Sequence, residues 1–376
     1  MERSQTNRWI DTLPPDAARE IHRALALEEE LLAIKGESDG EIIADILQHI
    51  KVDMETIVSA ILLVVLCAKP SARDSIQNIF SPAVVTLANE AYSLYQEERT
   101  WLSKLDDLNE STARSHHMML LSMMHDVRVV FILLAYQLLS LRKIAKSEPE
   151  AQRQMAREAK YIFAPLANRL GIGQLKWELE DYAFRYLKPD DYKFIAKSLE
   201  EKRVDREQYM ERIVTQLRHA IEDAGIKAEV YGRPKHIYSI WRKMQNKHLK
   251  FSDLYDVRAV RVLVDDLSSC YNVLSVVHGI WQFIPEEYDD YIAAPKSNNY
   301  QSLHTAVIGP EEKTVEIQIR THEMHEHAEM GVAAHWRYKE GGKTDTHVED
   351  TIDALRGLVD GHSADHNKLD QVSHSK

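Results

Sequence analysis

The sequence predicts an α+β protein: an all-helical N-terminal domain followed by a mixed β-sheet domain flanked by helices. Three observations carry this. Glycine (13) and proline (11) are scarce among 376 residues, which favours long helices over a loop-rich all-β chain. Only five of those glycines precede Ile226, in a stretch whose apolar residues recur at helical spacing. After Gly225 the texture changes to short alternating segments separated by helical ones.

Taken in order, Ile57 to Ala68 (IVSAILLVVLCA) is the longest apolar run, too short to span a bilayer, and reads as a buried core helix. Leu102 to Leu141 carries apolar residues at helical spacing, within a region that reads as helix after helix. Pro70, Pro82, Pro149 and Pro189 mark expected helix boundaries. Residues 156–192 read as two helices meeting at Gly171–Gly173. A helix over Asp205 to Ala224 is closed by Gly225. Beyond it, 228–232 reads as a strand, 236–248 as a basic helix, and 257–264 and 314–320 as strands, with helices around 268–282 and 322–340. The implied divisions are a helical domain over 1–195, a helical linker over 196–225, a sheet domain over 226–340 and a polar tail over 341–376, read as a frayed or cut end.

Lys and Arg number 47 against 59 Asp and Glu, a net charge of −12, so the chain as a whole is no general polyanion binder. Phosphate chemistry must use a local basic patch. Cys67 and Cys270 match no zinc spacing, and the start has no apolar signal segment; a reducing cytoplasm and no membrane are expected.

Residues 231–250 supply such a patch: Arg233, Lys235, Arg242, Lys243, Lys247 and Lys250, with no acidic residue. Composition alone divides evenly between a phosphate site and a solvated helix face. In TVEIQIR, Val315, Ile317 and Ile319 share one face, and Glu316, Gln318 and Arg320 the other. Glu316 with Asp256 forms a candidate two-carboxylate Mg²⁺ site, against the reading of two unrelated surface carboxylates. Parity puts Asp256 and Arg261 on opposite faces unless the strand bulges. PKSNNYQSLHT (295–305) reads as a loop, in which Tyr300 offers a stacking platform and Lys296 and His304 offer phosphate contacts, or else as an ordinary polar turn. GGKT (341–344), GIG (171–173) and HEMHEH (322–327) fail the P-loop, dinucleotide and zinc spacings. His325 and Glu329 nevertheless fall one helical turn apart, available for substrate contact. His125-Asp126, expected on one helix with His116 and His117, lacks partner ligands for a metal site.

Together, GRPKHIYSIWRKM, SDLYDVRAVRVLV, EYDDYIAAPKSNNYQSLHT, VEIQIRT and MHEHAEMGVAAHWRYKE resemble the synthetase domain of the long RelA/SpoT homologues, in order over 231–340. YIFAPLANRLGIGQLKWELEDYAF (161–184) resembles the segment that joins the family's hydrolase-like and synthetase domains. The resemblance implies an HD-hydrolase-like helical domain, a nucleotidyltransferase-like sheet, and transfer of pyrophosphate from ATP to the 3′-hydroxyl of GTP or GDP, releasing AMP. It implies that Arg233 and Arg261 clamp the adenine of ATP, that Lys235, Arg242 and Lys243 hold its phosphates, that Ser239 is a further substrate-binding residue, and that Asp256 and Glu316 bind Mg²⁺. Glu316 would also be the base. Tyr300 would stack on guanine, with Lys296, Asn298 and His304 near the acceptor's phosphates and the reacting group, and Gln318 would be a further substrate-binding residue. Full-length relatives engage the ribosome with uncharged tRNA through C-terminal domains that these 376 residues lack.

Two departures refine the resemblance. Bifunctional relatives carry Arg-x-Lys-Asp where this chain has Glu287-Tyr288-Asp289-Asp290, the acidic form of the synthetase-only RelA branch. The hydrolase motifs Phe-Leu-His-Asp and Leu-Ala-Asp-Arg-Leu-His align with Val65-Leu66-Cys67-Ala68 and Leu134-Ala135-Tyr136-Gln137-Leu138-Leu139, deleting metal ligands. The expectation is a synthetase with an inactive hydrolase domain. The alternatives are a bifunctional synthetase/hydrolase and a non-catalytic guanine-nucleotide sensor.

Overall fold

The computed structural model describes residues 9–331 apart from 35–36, 106–107, 110, 114–123, 202, 249–250 and 252–257. Contacts divide the chain into two compact units. The described part of the first ends at Leu179, and the second runs Glu180–Gly331.

The first unit is helical. Its elements are α1 (Pro15–Leu32), α2 (Asp39–His49), α3 (Met54–Ala68), α4 (Arg73–Ile79), α5 (Pro82–Leu102), α6 (Arg128–Lys143), α7 (Pro149–Glu158), α8 (Ala164–Arg169) and the start of α9 (Gly173–Leu187). The apolar run is indeed the core helix: every residue from Thr56 to Leu66 of α3 is buried, and α1, α2, α5 and α6 pack around it. The helix starts follow local chemistry. Ser38 and Glu41 form a reciprocal capping box on α2, Asp53 caps α3, and Ser81 caps α5. Pro82 and Pro149 stand at the first helical positions, where no amide hydrogen is needed. α7 runs into α8 through a five-residue π-helical turn, Ala159–Phe163.

One expectation fails here. His125-Asp126, expected within a helix, lies in the turn ahead of α6, which begins at Arg128. Glu90 Oε1 accepts from the backbone N–H of His125 at 2.7 Å, and Asp126 accepts from the Arg128 N–H at 2.9 Å and from its guanidinium. A carboxylate that bonds the backbone two residues on favours a turn over a helix interior. His116 and His117 lie outside the described residues.

The second unit holds the rest of α9, α10 (Pro189–Glu201), α11 (Arg203–Asp223), β1 (Ala228–Pro234), α12 (Ile237–Lys247), β2 (Arg258–Val264), α13 (Leu267–Ile280), β3 (Gln282–Asp290), β4 (Leu303–Ile308), β5 (Thr314–Thr321) and α14 (His322–Met330). The sheet order is β1-β2-β5-β4-β3, with β2 and β5 parallel and every other pair antiparallel. Gly225, after α11, takes φ +72°, the left-handed conformation expected of a helix stop.

Two strands were not anticipated. β3 carries few buried side chains to produce an alternating signal, and β4 begins inside the stretch read as a loop and runs three residues beyond it. His304 is therefore on a strand, while Lys296–Ser302 form the connection. The division into units also differs from boundaries at 195 and 225. α11, expected as linker, buries Tyr209, Ile213, Leu217 and Ile221 in the core beneath the sheet. That core is one face of the sheet, Val230, Val260, Val262, Val264, Leu303, Val307, Val315, Ile317 and Ile319, closed by α11 and by Cys270, Val273 and Val277 of α13. Among the described residues no helix is long and apolar enough to cross a membrane.

Candidate active site on the polar face of the sheet

Alternation along each strand gives the sheet a second face, and strand register composes a site on it. Tyr231 pairs with Arg261, Arg261 with Gln318, Gln318 with His304, and His304 with Asp289. One polar row thus crosses all five strands. The adjacent row carries Arg233, Ala259, Glu316 and Ala306, the alanines leaving room beside Glu316.

Glu316 is the hub. Lys235 Nζ lies 3.1 Å from its Oε2, Gln318 Nε2 donates to its Oε1 at 2.8 Å, and His304 Nδ1 stands 3.5 Å from the same oxygen. Tyr300 and His304 share a hydrogen bond of 2.8 Å between the phenol oxygen and Nε2. Burial, with Lys296 and Arg320 nearby, pushes His304 down to about 3, so its ring is neutral at pH 7. A neutral ring with Nε2 accepting from the Tyr300 hydroxyl carries its proton on Nδ1, toward Glu316. The contact is then a polar one and not an ion pair. Lys296 sits over Tyr291, 4.1 Å from the ring centre, and 5.4 Å from that of Tyr300. Asn298 Oδ1 accepts from the Tyr300 N–H at 3.3 Å, and Asn299 takes φ +59°, which closes the turn that presents Tyr300.

A second cluster adjoins the first. Glu329 of α14 accepts from Arg261 at 3.0 Å and from Arg320 at 3.2 Å, and Arg320 Nη2 donates to His325 Nδ1 at 2.7 Å. Arg233 feels Arg261 and Arg320; burial and those cations lower it to about 10, still charged at pH 7. One carboxylate among three guanidiniums leaves buried donors over. Arg261 Nε and Nη2 and Arg320 Nε and Nη1 have no partner among the described residues, nor does the buried Gln318 Oε1. Unsatisfied buried donors of this kind are costly in an apoprotein and suit an acceptor-rich ligand.

The other anticipated residues are distributed as follows. Ser239, Arg242 and Lys243 lie on α12; Arg242 is exposed, and Lys243 Nζ is 3.7 Å from Glu287. The acidic motif is split by role. Asp289 stands in register beside His304, whereas Asp290 accepts from the N–H groups of Ile292 and Ala293 at 3.0 and 2.8 Å and from the Tyr271 hydroxyl, and so shapes the following turn. Asp256 lies outside the described residues, as does 332–340. Arg320 is what the sequence reading left unassigned. Its alternation with Glu316 and Gln318 was visible, but its complete burial, which makes its charge significant, was not.

In the first unit, two of the positions that the resemblance aligns with the hydrolase motifs, Cys67 and Tyr136, converge. The Cys67 thiol of α3 and the Tyr136 phenol of α6 share a hydrogen bond, and Tyr136 also bonds Tyr95 of α5, their rings edge to face at 5.2 Å. Arg99 stacks on Tyr95 and bonds Glu158 at 2.6 Å. Burial raises Cys67 to about 11 and Glu98 to about 8, so both are neutral at pH 7. Among the described residues no group of three or more His, Cys, Asp or Glu is placed to hold a metal ion.

Comparison with known proteins follows this division. Residues 36–173 match the HD domain, and residues 232–343 match the region found in RelA/SpoT proteins. The GTP pyrophosphokinase of Photobacterium angustum strain S14 is 43% identical over 367 residues, 93% of this chain and 48% of that protein. The GTP pyrophosphokinase of Escherichia coli strain K12 is 48% identical over 324 residues, 85% and 43% respectively. The bifunctional (p)ppGpp synthase/hydrolase SpoT of the same strain is 37% identical over 348 residues, 90% and 49%. The chain spans about half the length of these curated relatives. With an HD domain followed by the RelA/SpoT region, and with that identity across most of its length, the chain belongs to the RelA/SpoT family.

Proposed function

We propose that this chain transfers the pyrophosphate group of ATP to the 3′-hydroxyl of GTP or GDP and releases AMP. The observation that carries the reading is the Lys235–Glu316–Gln318 hub, with His304 and Tyr300 beside it, inside the matched RelA/SpoT region. Relatives named GTP pyrophosphokinase support it.

In this reading Tyr300 stacks on the guanine and Lys296 meets the acceptor's phosphates. Arg233 and Arg261 clamp the adenine, while Lys235, Ser239, Arg242 and Lys243 hold the ATP phosphates. Glu316 accepts the 3′-hydroxyl proton as the 3′-oxygen bonds to the β-phosphorus. The bond from that phosphorus to the bridging oxygen of the α-phosphate breaks, and the electron pair leaves with AMP. Neutral His304 orients the Glu316 carboxylate and neither gives up nor gains a full charge. Catalysis is then chiefly positioning and charge compensation.

A divalent ion fits the donor set. The Glu316 carboxylate and the unpartnered Gln318 amide oxygen are hard oxygen ligands, and Mg²⁺ takes one or two carboxylates with substrate phosphates and water. Glu316, with Asp256 as the expected second carboxylate, would hold it, and it would offset charge on the transferred group.

The helical domain, expected over 1–195, is proposed as non-hydrolytic, supported by the neutral Cys67–Tyr136–Tyr95 contact where metal ligands would be needed. The acidic Glu287–Asp290 segment supports placement in the synthetase-only branch. The ribosome and uncharged tRNA are the proposed macromolecular partners, by resemblance to full-length relatives.

The test is a product assay with Mg²⁺, ATP and either GTP or GDP. Equal amounts of AMP and 3′-pyrophosphorylated guanosine nucleotide are expected. ADP or free phosphate in their place overturns the transfer chemistry.

A further inference from the structure

α12 carries Ser239, Arg242 and Lys243, so its N-terminus is where a phosphate would ordinarily be sought, at free amides and the positive end of the helix dipole. That end is already taken. The N-cap residue His236 supplies no side-chain cap of its own. Instead Asp181, on α9, accepts from the Tyr238 N–H through Oδ1 at 2.8 Å, and its Oδ2 lies 3.2 Å from His236 Nδ1. Both side chains are largely withdrawn from solvent, 24% exposed for Asp181 and 31% for His236. One turn further on, Trp241 Nε1 donates to Asp191 of α10 at 3.1 Å, and Tyr238 and Trp241 pack on Phe184, with ring centres 5.8 and 5.0 Å away. The apolar face of α12 is thus fixed from α9 and α10, and its basic residues fall on the remaining arc. Asp181 lies between the two matched segments, 36–173 and 232–343.

We propose that Asp181 is a positioning residue for the ATP-binding half of the site: a cap donated from α9 that fixes the N-terminus of α12 and leaves phosphate recognition there to side chains. This rests on the proposed assignment of α12 to the ATP phosphates. A remote carboxylate cap orients the whole helix, whereas a residue's own cap fixes only its first turn. Loss of Asp181 therefore displaces Ser239, Arg242 and Lys243 together, while the turn that presents Tyr300 is untouched.

The test uses the 376-residue chain and compares wild type with Asp181→Ala and Asp181→Asn, titrating a non-hydrolysable ATP analogue and GDP separately by calorimetry. Losing a helix cap corresponds to roughly five- to tenfold. Asp181→Ala is expected to weaken the ATP analogue by about that factor with GDP unchanged, and Asp181→Asn, which keeps an acceptor, should fall between. In wild type the Tyr238 amide should resist hydrogen exchange, and in Asp181→Ala it should exchange faster. Affinity for the ATP analogue within twofold of wild type, or equal losses for both nucleotides, overturns the proposal. Should Asp181→Ala fold poorly, Asp181→Asn decides by the same ratio. Failure of the wild-type chain to transfer pyrophosphate would remove the proposed reaction while leaving these binding ratios readable.

Discussion

Two regions of this chain bury polar side chains, and they resolve the cost in opposite ways. Around Cys67 the groups are neutral and turn toward one another, thiol to phenol to phenol. Around Glu316 and the adjoining Glu329, charged side chains meet neutral His304, and among the described residues several buried donors and one acceptor have no partner, on Arg261, Arg320 and Gln318. Burying an unpaired donor costs about 1–3 kcal/mol, so a fold that retains several in one place holds strain that a ligand can relieve. Orphan atoms exist in the helical unit too, at Glu98 Oε1 and Arg99 Nε, but Glu98 is neutral at pH 7 and Arg99 has Glu158. The difference teaches that buried polar groups which satisfy one another need nothing further, whereas a cluster left unsatisfied calls for a ligand.

The comparison breaks first at Glu316. Glu316→Gln keeps the shape and one acceptor oxygen but cannot take a proton; pyrophosphate transfer should fall by roughly 10³-fold while GDP binding stays within a few-fold. Product formation and calorimetry read the two separately. Retained turnover would place the base elsewhere. Tyr300→Ala comes next: removing a stacking platform worth about 1–3 kcal/mol should raise KM for GTP or GDP ten- to a hundredfold and leave KM for ATP unchanged.

The contrast extends to pH, with opposite signs. His304 binds its proton more weakly folded (about 3) than unfolded (6.5). Between those values the unfolded chain holds more protons, so stability rises with pH, by up to about 1.4 kcal/mol per unit. Glu98 is the reverse: it binds its proton more tightly folded (about 8) than unfolded (4.5), so between them stability falls as pH rises. Denaturant titrations from pH 4 to 8 should show His304→Gln flattening the acid side of the curve and Glu98→Gln flattening the neutral side. A Glu98→Gln variant with an unchanged slope above pH 6 would mean that this carboxyl is ionised in the folded state.

Much of this was legible in the sequence, for reasons particular to each element. α3 announced itself because eleven consecutive buried residues leave no other reading, and β5 because Val315, Ile317 and Ile319 alternate with Glu316, Gln318 and Arg320. β4 was hidden: both of its faces are largely buried, so Leu303–Ile308 shows no clean alternation beside the polar turn before it. The row from Tyr231 to Asp289 was invisible because it exists only in the register between strands distant in sequence. Periodicity gives each strand its faces, but pairing decides which side chains meet. The same limit explains Asp181, whose partner helix begins 56 positions later.

The smallest effect tests whether the two regions are independent. Tyr136→Phe removes one hydroxyl from the contact with Cys67 and Tyr95 and keeps the ring edge to face on Tyr95. One hydrogen bond is worth about 1 kcal/mol net, so Tm should drop by roughly 2–4 °C in a unit of this size. If the helical unit only packs, pyrophosphate transfer at a temperature well below Tm should not change. A several-fold change in kcat with intact folding would show that this contact acts on the other unit. The two regions would then be one regulated system, and the neutral cluster would have a role beyond packing.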